Sequence, residues 1–299
     1  MLIMQKIEEL TIRYDDSRKT VGEFLLHERR NLKHYTMQAI ADQTYTSKST
    51  LVRIAKNLGF SGWTEFMKAY TKETTYLDHH LSTADVNIPF QKNDTYQQIA
   101  GEITAVKKSS LTETLELLSE KKLLAAVNLL KNAKRICVFG ISVNQYLGEL
   151  FQHKMLLIGK PVEIVTQAEM KFLSSTMTPE DLAIIISYSG NDVNRMPTTN
   201  ISMLKERQVP ILGITSLGTN LLRESSTCTL SIASRERLYS KIASFATESS
   251  IALLLDILYS CYFQIDYDSN MQHKLKVSRK VEQQRFSTAS GIMEQQSES

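Results

Sequence analysis

The sequence predicts a fold in two parts, a helical N-terminal bundle followed by a doubly wound α/β domain with a parallel sheet. Two observations predict this combination. Residues 1–77 form a series of short segments in which apolar residues recur at helical spacing. From Arg135 onward, short apolar runs rich in Ile and Val alternate with helical or turn segments, which is typical of parallel strands covered by helices on both faces. A length of 299 residues allows two domains that each bury a core.

Composition and cysteine use exclude several classes of protein. Hydrophobic residues make up 42% of the chain and charged residues 22%, which excludes a chain that is disordered throughout. No segment approaches the roughly 18 consecutive apolar residues of a membrane span, and the first residues lack the pattern of a signal peptide, so we expect a cytoplasmic protein without membrane contact. Cys137, Cys228 and Cys261 lie far apart and no histidine pair has the spacing of metal ligands, so we expect no disulfide, no metal ion and no cofactor.

The chain divides into four segments. The expected boundaries are residues 1–77 for the helical domain, 78–130 for a linker and connecting helices, 131–265 for the α/β domain and 266–299 for a polar C-terminal tail. Within the second segment, residues 78–94 carry turn residues with little periodicity, whereas Tyr96 to Asn132 predicts one or two amphipathic helices. The tail has few large apolar residues from Asp268 onward, so we expect it to lack a fixed structure.

Positive charge is concentrated in the helical domain. Residues 29–60 contain six basic residues and one acidic residue, a local net charge of +5, whereas the whole chain has a formal net charge of only +3. A basic patch on a small domain favours binding to nucleic acid. A solvated basic face is the alternative that the charge alone leaves open.

The stretch from Thr36 to Phe66 predicts two short helices joined by a tight turn. Thr36 and Ser47 are each placed as N-caps, and Gly59 is placed to end the second helix. That helix would bury an apolar stripe and direct hydroxyl and basic side chains outward, which is the chemistry of a DNA-recognition helix in the major groove. A helical bundle with a basic surface is the alternative. The candidate DNA-binding residues are Thr36, Ser47, Lys48, Ser49, Thr50, Arg53 and Lys56.

The α/β segment predicts strands that end in polar loops. The expected strands are Ile136–Phe139, Val162–Val165, Leu182–Ile186, Ile211–Ile214 and Cys228–Ile232, and a long helix from Leu238 to Phe263 closes the domain. The loops after the first and third strands lie where ligands bind in parallel sheets. Their hydroxyl and amide groups suit an anionic phosphate, although capping or turn roles explain the same residues equally well. The candidate ligand-binding residues are Ser142, Asn144, Ser187, Ser189, Asn191 and Asp192.

The spacing of motif residues in the helical domain matches a known family. Ala41-x5-Ser47-x2-Thr50-Leu51-x-Arg53, followed by Leu58-Gly59-Phe60-x-Gly62-Trp63-x-Glu65-Phe66, resembles the N-terminal domain of RpiR-family bacterial transcriptional regulators. The resemblance implies that Ser47, Ser49, Thr50 and Arg53 face DNA. Tyr45 departs from the family, which usually has a glycine or another small residue in this turn. This tyrosine either strains the turn or contacts DNA.

The α/β segment resembles the sugar isomerase (SIS) domain, the usual C-terminal partner in RpiR-type regulators. The resemblance is carried by the loop and helix from Gly140 to Gly159, the Ser187-Tyr188-Ser189-Gly190 unit, and Ser240-Lys241-Ile242-Ala243 near the expected start of the closing helix. Together the two resemblances cover residues 1–265 in the family's order. They imply a homodimer or higher homo-oligomer that binds a phosphosugar effector.

Three departures in the SIS-like loops concern the ligand. Ser142 stands at the second glycine of the family's G-x-G-x-S loop and Asn144 at its serine, and Asp192 stands where a threonine is usual. A carboxylate beside a bound phosphate would be repulsive by about 1 kcal/mol or more. The ligand therefore differs from a typical phosphosugar, or Asp192 points away, or the pocket is degenerate.

The leading functional hypothesis is a ligand-controlled transcription factor, not an enzyme. A dimer would place two recognition helices about one helical turn apart on an imperfectly palindromic operator. The resemblance implies that the regulated genes belong to carbohydrate metabolism. A sugar-phosphate isomerase is one alternative, with His153 and Glu236 as the nearest acid–base candidates in the sequence. We interpret His153 as a packing or surface residue and Glu236 as a solvated charge. A DNA-binding protein whose SIS domain only dimerises is the other alternative.

Overall fold

The computed structural model of the chain describes residues 3–29, 31–79, 85–191 and 195–281. Its helices are α1 Ile3–Arg13, α2 Ser17–Glu28, α3 Met37–Gln43, α4 Lys48–Asn57, α5 Trp63–His79, α6 Tyr96–Leu117, α7 Glu120–Asn132, α8 Val143–Leu156, α9 Met170–Thr176, α10 Ile201–Glu206, α11 Leu221–Ser225, α12 Phe245–Ile265 and α13 Tyr267–Val281. Its strands are β1 Ile136–Phe139, β2 Val162–Val165, β3 Leu182–Ile186, β4 Ile211–Ser216 and β5 Cys228–Ile232. Short 3-10 helices lie at Asn31–His34 and Thr198–Asn200.

The helices α1 to α5 enclose one apolar core, as the helical periodicity predicts. The largest buried side chains of this core are Ile7, Leu25, Leu32, Ile40, Leu51, Ile54, Phe66 and Tyr70. Tyr70 packs its ring against that of Phe66, with 5.8 Å between the centroids, and donates its hydroxyl to Leu25 O at 2.8 Å. The aromatic residues after Gly59 therefore fix α5 against the helix-turn-helix unit.

The sheet confirms the doubly wound parallel topology. Its strand order is β2-β1-β3-β4-β5, and every neighbouring pair is parallel. All five predicted strands are present, and β4 continues to Ser216, beyond the expected end at Ile214. Because the chain winds to one side of β1 and then to the other, β1 and β3 form the switch point, and the loops that follow them meet at the carboxyl edge of the sheet.

Helices cover the sheet on both faces, as strands that are buried on both sides require. One face packs against α7, α8 and α12 through residues such as Leu130, Phe151 and Leu254. The other face packs against α9, α10 and α11 through residues such as Met170 and Leu204. All three cysteines are free thiols, and burial raises the pKa of Cys137 to about 12.

The helix α6 is built into the α/β unit by buried hydroxyl groups. Ser110 donates to Ala246 O at 2.6 Å, and Thr114 donates to Ser250 Oγ at 2.9 Å, so α6 is hydrogen-bonded along α12. The prediction of one or two helices between Tyr96 and Asn132 is confirmed as two, α6 and α7. Residues 80–84 of the predicted linker lie outside the described residues.

The closing helix begins later than the sequence indicates. The predicted start at Leu238 is wrong, because α12 begins at Phe245. The physical reason is a cap: the Glu236 carboxylate accepts hydrogen bonds from the N–H groups of Ala246 and Thr247, at 2.6 and 3.2 Å. Residues 237–242 therefore form an irregular segment in front of the helix, called the strap below.

The expectation of a tail without fixed structure is wrong for its first half. Residues Tyr267–Val281 form α13, in which no side chain is buried. A run of Lys, Gln, Met and Leu residues has good intrinsic helix propensity, and this propensity does not require burial. Residues 282–299 of the tail lie outside the described residues. In the described part of the chain, no helix has both the length and the apolar character needed to cross a membrane.

Candidate DNA-binding face and ligand-binding loops

The turn between α3 and α4 is built by side chains that hydrogen-bond to the backbone. Thr36 accepts a hydrogen bond from Ala39 N–H at 3.1 Å, and Ser47 accepts one from Thr50 N–H at 3.2 Å. Each bond satisfies a backbone donor that a helix N-terminus leaves free, so the predicted N-caps are confirmed. Gly59 has a φ of +92° directly after the C-cap of α4, as predicted for the residue that ends this helix.

One face of α4 is polar and open to solvent. Leu51, Ile54 and Ala55 are buried, so the helix is fixed by its apolar stripe. Thr50 is half-buried, with its hydroxyl 3.0 Å from Ser47 Oγ. The exposed predicted residues are Thr36, Ser47, Lys48, Ser49, Arg53 and Lys56. Within the described part of the chain, none of the three cations in this set forms a salt bridge, so their charges are available to a ligand.

The N-terminus of α2 carries an ion pair, Asp16 with Arg18, that the sequence analysis missed. The pKa of Asp16 falls to about 2, chiefly because Arg18 hydrogen-bonds its carboxylate, with a smaller contribution from the positive charge of Arg53. Arg18 also lies over the ring of Tyr14, 3.3 Å from its centroid. Asp16, which is ion-paired to Arg18, therefore lies near Arg53. The sequence offers only a weak signal here, since Arg18 lies outside the basic stretch from 29 to 60.

Tyr45 occupies the turn with a strained backbone and an exposed ring. Its φ is +51°, in the left-handed region that favours glycine, and its side chain is 95% exposed. The position therefore has the geometry that a glycine would satisfy, and the tyrosine gains no burial there. Of the two interpretations of Tyr45, strain in the turn is confirmed by its backbone conformation, and contact with DNA stays a prediction.

The loop after β1 is narrow and is joined to the loop after β3. A Cβ on Gly140 would lie 2.9 Å from the carbonyl carbon of Asn144, so only glycine fits. Asn144 donates its side-chain amide to Ile186 O at 3.3 Å, which connects the two strand ends. Ser142 is exposed, and its side chain does not cap α8. The structure therefore gives Asn144 a bridging contact and leaves the Ser142 hydroxyl open to solvent.

The loop after β3 folds back on its own hydroxyl group. Ser187 Oγ accepts from Gly190 N–H at 3.2 Å, and Asn191 Oδ1 accepts from Leu221 N–H at 3.1 Å. Ser189, between them, is half-buried. Asp192, the residue that departs most from a phosphate site, lies outside the described residues. This loop therefore holds Ser187 and Asn191 in backbone bonds, as the capping and turn roles expect.

A third loop, after β4, completes the cluster and was missed by the sequence analysis. Thr215 donates its hydroxyl to Tyr188 O, and Asn220 donates to Thr215 Oγ1, both at 3.2 Å. A Cβ on Gly190, whose φ is +63°, would lie 2.5 Å from Asn220 Oδ1. Ser216 Oγ is buried and has no hydrogen-bond partner among the described residues. The signal in the sequence is the same as for the other loops, a buried strand that ends in hydroxyl and amide residues.

The two acid–base candidates of the isomerase alternative do not come together. His153 lies on α8 with its side chain exposed, as the surface interpretation expects. The interpretation of Glu236 as a solvated charge is wrong, because this residue is 0% exposed. Its carboxylate caps α12 and accepts from Lys241 Nζ at 3.3 Å, and its backbone carbonyl accepts from Tyr188 OH at 2.6 Å. Burial is possible because every one of these contacts is a hydrogen-bond donor or a cation.

Family models match both parts of the chain. The model described as a helix-turn-helix domain of the rpiR family matches residues 1–75, and the model described as a SIS domain matches residues 129–259. Together the matches span more than two thirds of the chain. The chain belongs to the RpiR family. It is a transcriptional regulator of the RpiR type, with a helix-turn-helix domain before a SIS domain.

Relatives of this RpiR protein extend along most of the chain. A Clostridium perfringens protein named as an HTH-type transcriptional regulator is 22% identical over 94% of this chain and 99% of its own length. YfhH of Escherichia coli, named in the same way, is 25% identical over 84% of this chain and 88% of its own length. NanR of Vibrio vulnificus, solved in complex with ManNAc-6P, is 19% identical and has a TM-score of 0.58, covering 93% of this chain and 98% of that one. The likeness to NanR shows the fold.

Proposed function

We propose that this RpiR-type regulator binds double-stranded operator DNA through the exposed face of α4 and changes that binding when a phosphosugar occupies the loops after β1, β3 and β4. The genes it controls belong to carbohydrate metabolism, and it acts in the cytoplasm without catalysing a reaction. The observation that carries the proposal is the face of α4, where hydroxyl groups lie at the capped N-terminus and three cations without a salt bridge to any described residue lie along the helix.

The roles on DNA follow from the position of each side chain on α4. Arg53 lies mid-helix and outward, where a guanidinium can make two hydrogen bonds to a guanine edge. Lys48 and Lys56 flank it as phosphate contacts, and the hydroxyls of Thr36, Ser47, Ser49 and Thr50 add phosphate or base-edge bonds. All of these side chains except the half-buried Thr50 are exposed, and neither lysine forms a salt bridge to a described residue, which supports the assignment.

The effector assignment rests on the carboxyl edge of the sheet. Ser142 and Asn144 follow β1, and Ser187, Ser189 and Asn191 follow β3, so they lie at the switch point, where anionic ligands bind in such sheets. Asp192 belongs to the proposed set by its place in the sequence alone, since it lies outside the described residues. Lys241 Nζ lies 5.6 Å from the centroid of the Tyr188 ring and places a positive charge beside the loop after β3. NanR, which has the same fold, is complexed with ManNAc-6P and supports a phosphosugar as the ligand class.

The active form is a homodimer or a higher homo-oligomer. Two copies of α4 would enter successive major grooves about one helical turn apart, so the operator is an imperfect palindrome. The isomerase alternative has no support in the site, because His153 is exposed and the Glu236 carboxylate is used as a helix cap. The alternative in which the SIS domain only dimerises is favoured by Asn144, whose amide is already bonded to Ile186 O.

Fluorescence anisotropy with DNA from upstream of the protein's own and neighbouring genes tests the proposal. Random DNA of equal length is the control, and each titration is repeated with ManNAc-6P, other hexose and aminosugar 6-phosphates, and inorganic phosphate. We expect selective binding to one fragment and a shift in its Kd with one phosphosugar. Selective binding that no compound shifts supports the SIS domain as a dimerisation unit, and equal binding to random DNA contradicts the operator assignment.

A further inference from the structure

We infer that Glu8 is a positioning residue, through which the strap holds the helix-turn-helix domain and transmits effector binding to α4. The inference deepens the proposed function and rests on it, since it requires an effector that changes DNA binding. Glu8 lies on α1, at the far end of the chain from the SIS domain, and nothing in the sequence motifs distinguishes it from its neighbour Glu9.

The first step is the contact between Glu8 and the strap. Glu8 is only 5% exposed, and its carboxylate accepts from Leu238 N–H at 2.8 Å and from the Ser240 hydroxyl at 2.6 Å. A buried carboxylate that lost these donors would carry an unpaired charge, which is strongly unfavourable. The contact therefore selects one placement of α1 against the strap.

The second step is the contact between the strap and the chain that leads into the SIS domain. Asn87 accepts from Arg237 N–H through its side chain at 2.7 Å and from Ile242 N–H through its backbone carbonyl at 2.9 Å. Asp85 in turn accepts from Asn87 N–H at 2.8 Å. Both ends of the strap are thus held by one residue, while its middle, Leu238 and Ser240, is held by Glu8.

The third step joins the strap to the ligand-binding loops. Tyr188 lies between Ser187 and Ser189 and donates its hydroxyl to Glu236 O, immediately before the strap, at 2.6 Å. Lys241, within the strap, donates to the Glu236 carboxylate at 3.3 Å and faces the Tyr188 ring. An anionic phosphate at this loop would compete with Glu236 for the Lys241 ammonium. Since Lys241 is one residue from Ser240, such a change alters the segment that Glu8 holds.

The fourth step connects α1 to the recognition helix. Lys6, two residues before Glu8, donates its ammonium group to Leu58 O at the C-cap of α4, at 3.1 Å. At the start of α1, the Glu73 carboxylate of α5 accepts from Ile3 N–H and Met4 N–H at 2.8 and 3.0 Å. Because α1 is hydrogen-bonded to the end of α4 and to α5, we expect these helices to move together with α1 when its contact with the strap changes.

Glu8→Gln tests the inference in the full chain, with Glu23→Gln as the matched control because Glu23 is exposed on the neighbouring helix α2. The first readout is amide hydrogen exchange of the strap without DNA or effector. We expect exchange at Leu238, whose N–H donates to Glu8, to accelerate about tenfold or more in Glu8→Gln and to stay unchanged in the control. Unchanged exchange in Glu8→Gln would show that the contact does not protect the strap and would overturn the inference.

The second readout is the ratio of operator Kd values with and without the phosphosugar that shifts the wild type. A coupled system typically shows a ratio of about 5- to 150-fold, and we expect Glu8→Gln to bring it close to one while the phosphosugar still binds the DNA-free protein. Ser240→Ala removes the hydroxyl that donates to Glu8. Because both substitutions break the same contact, the double variant should reduce the Kd ratio no further than either single variant does. A wild-type ratio retained in Glu8→Gln contradicts the inference. If no compound shifts the wild type, the proposed effector function fails instead, and the exchange readout still reports on the contact.

Discussion

The face of α4 and the region around the strap are both dense in polar residues, and they differ in what surrounds those residues. On α4, Lys48, Arg53 and Lys56 are exposed and form no salt bridge within the described ranges. Around the strap, Glu236, Thr247 and Ser250 are buried. Thr247 donates its hydroxyl to the Glu236 carboxylate, and Ser250 donates its hydroxyl to the backbone carbonyl of Ala233. The first region has charge to offer to a ligand, whereas the second uses its polar groups to hold the SIS domain together.

The energetic reason for this difference is solvation. An exposed lysine or arginine keeps its hydration and can exchange it for a phosphate or a base edge, releasing counterions. A buried carboxylate has lost its hydration and is tolerated only when donors replace the water. A polar residue therefore indicates ligand binding on α4 and structural stability around the strap, although the sequence does not distinguish the two cases.

The largest effect that this comparison predicts is on the stability of the SIS domain. Glu236→Ala removes the cap of α12 and leaves the largely buried Lys241 without its carboxylate, so we expect a loss of about 3–5 kcal/mol in the free energy of unfolding. Chemical denaturation followed by circular dichroism measures it. Glu224→Ala, at an exposed acid on α11, is the control. A loss below about 1 kcal/mol would be inconsistent with a buried, hydrogen-bonded Glu236.

The second prediction concerns the other side of the comparison. Arg53→Ala should weaken operator binding by about 1–3 kcal/mol, because a guanidinium that reads a base is lost, and should leave stability unchanged because the side chain is exposed. Anisotropy titrations on operator and random DNA measure the effect, and Lys205→Ala on α10 is the control. Equal losses on both DNAs would show that Arg53 contacts phosphate only.

The third prediction tests whether the ligand-binding loops act apart from α4. Ser189→Ala should abolish the effector response, typically a coupling of about 1–3 kcal/mol, and leave operator affinity without effector unchanged. The half-buried Ser189 is chosen because Ser187 and Asn191 are already bonded within the loops. The measurement is the operator Kd with and without the phosphosugar. An unchanged response would remove Ser189 from the ligand site.

The smallest effect is expected at the turn of the helix-turn-helix unit. Tyr45→Gly relieves a left-handed backbone and should raise stability by up to about 1 kcal/mol, measured by unfolding followed through the single tryptophan, Trp63, which is buried in the same domain. Tyr45→Ala removes the ring and keeps the strain. Weaker operator binding in both variants would show that the Tyr45 ring contacts DNA. Unchanged binding would show that Tyr45 affects only the stability of the turn.

Local signals predicted the features that depend on local physics. Thr36 caps the start of α3, Ser47 caps the start of α4, and Gly59 follows the end of α4, all as predicted. These ends are predictable because a hydroxyl before a helix and a glycine after it satisfy backbone groups only a few residues away. The strands β1, β2, β3 and β5 have the predicted limits, since a short buried run of Ile and Val is recognisable without knowledge of its neighbours. The start of α12 could not be predicted, because its cap is a carboxylate from the segment before the strap.

The sequence by itself determined the order of the two domains, the capped recognition helix and the strands that place polar loops at one edge of a parallel sheet. Each of these depends on residues close together in the chain or on a regular period. Only the tertiary structure decided that Glu236 is buried, that Asp16 lies near Arg53, that Thr215 joins the loop after β3, and that Glu8 holds the strap. Burial and the approach of distant segments set the charge and hydrogen bonding of these residues, and no local pattern encodes either.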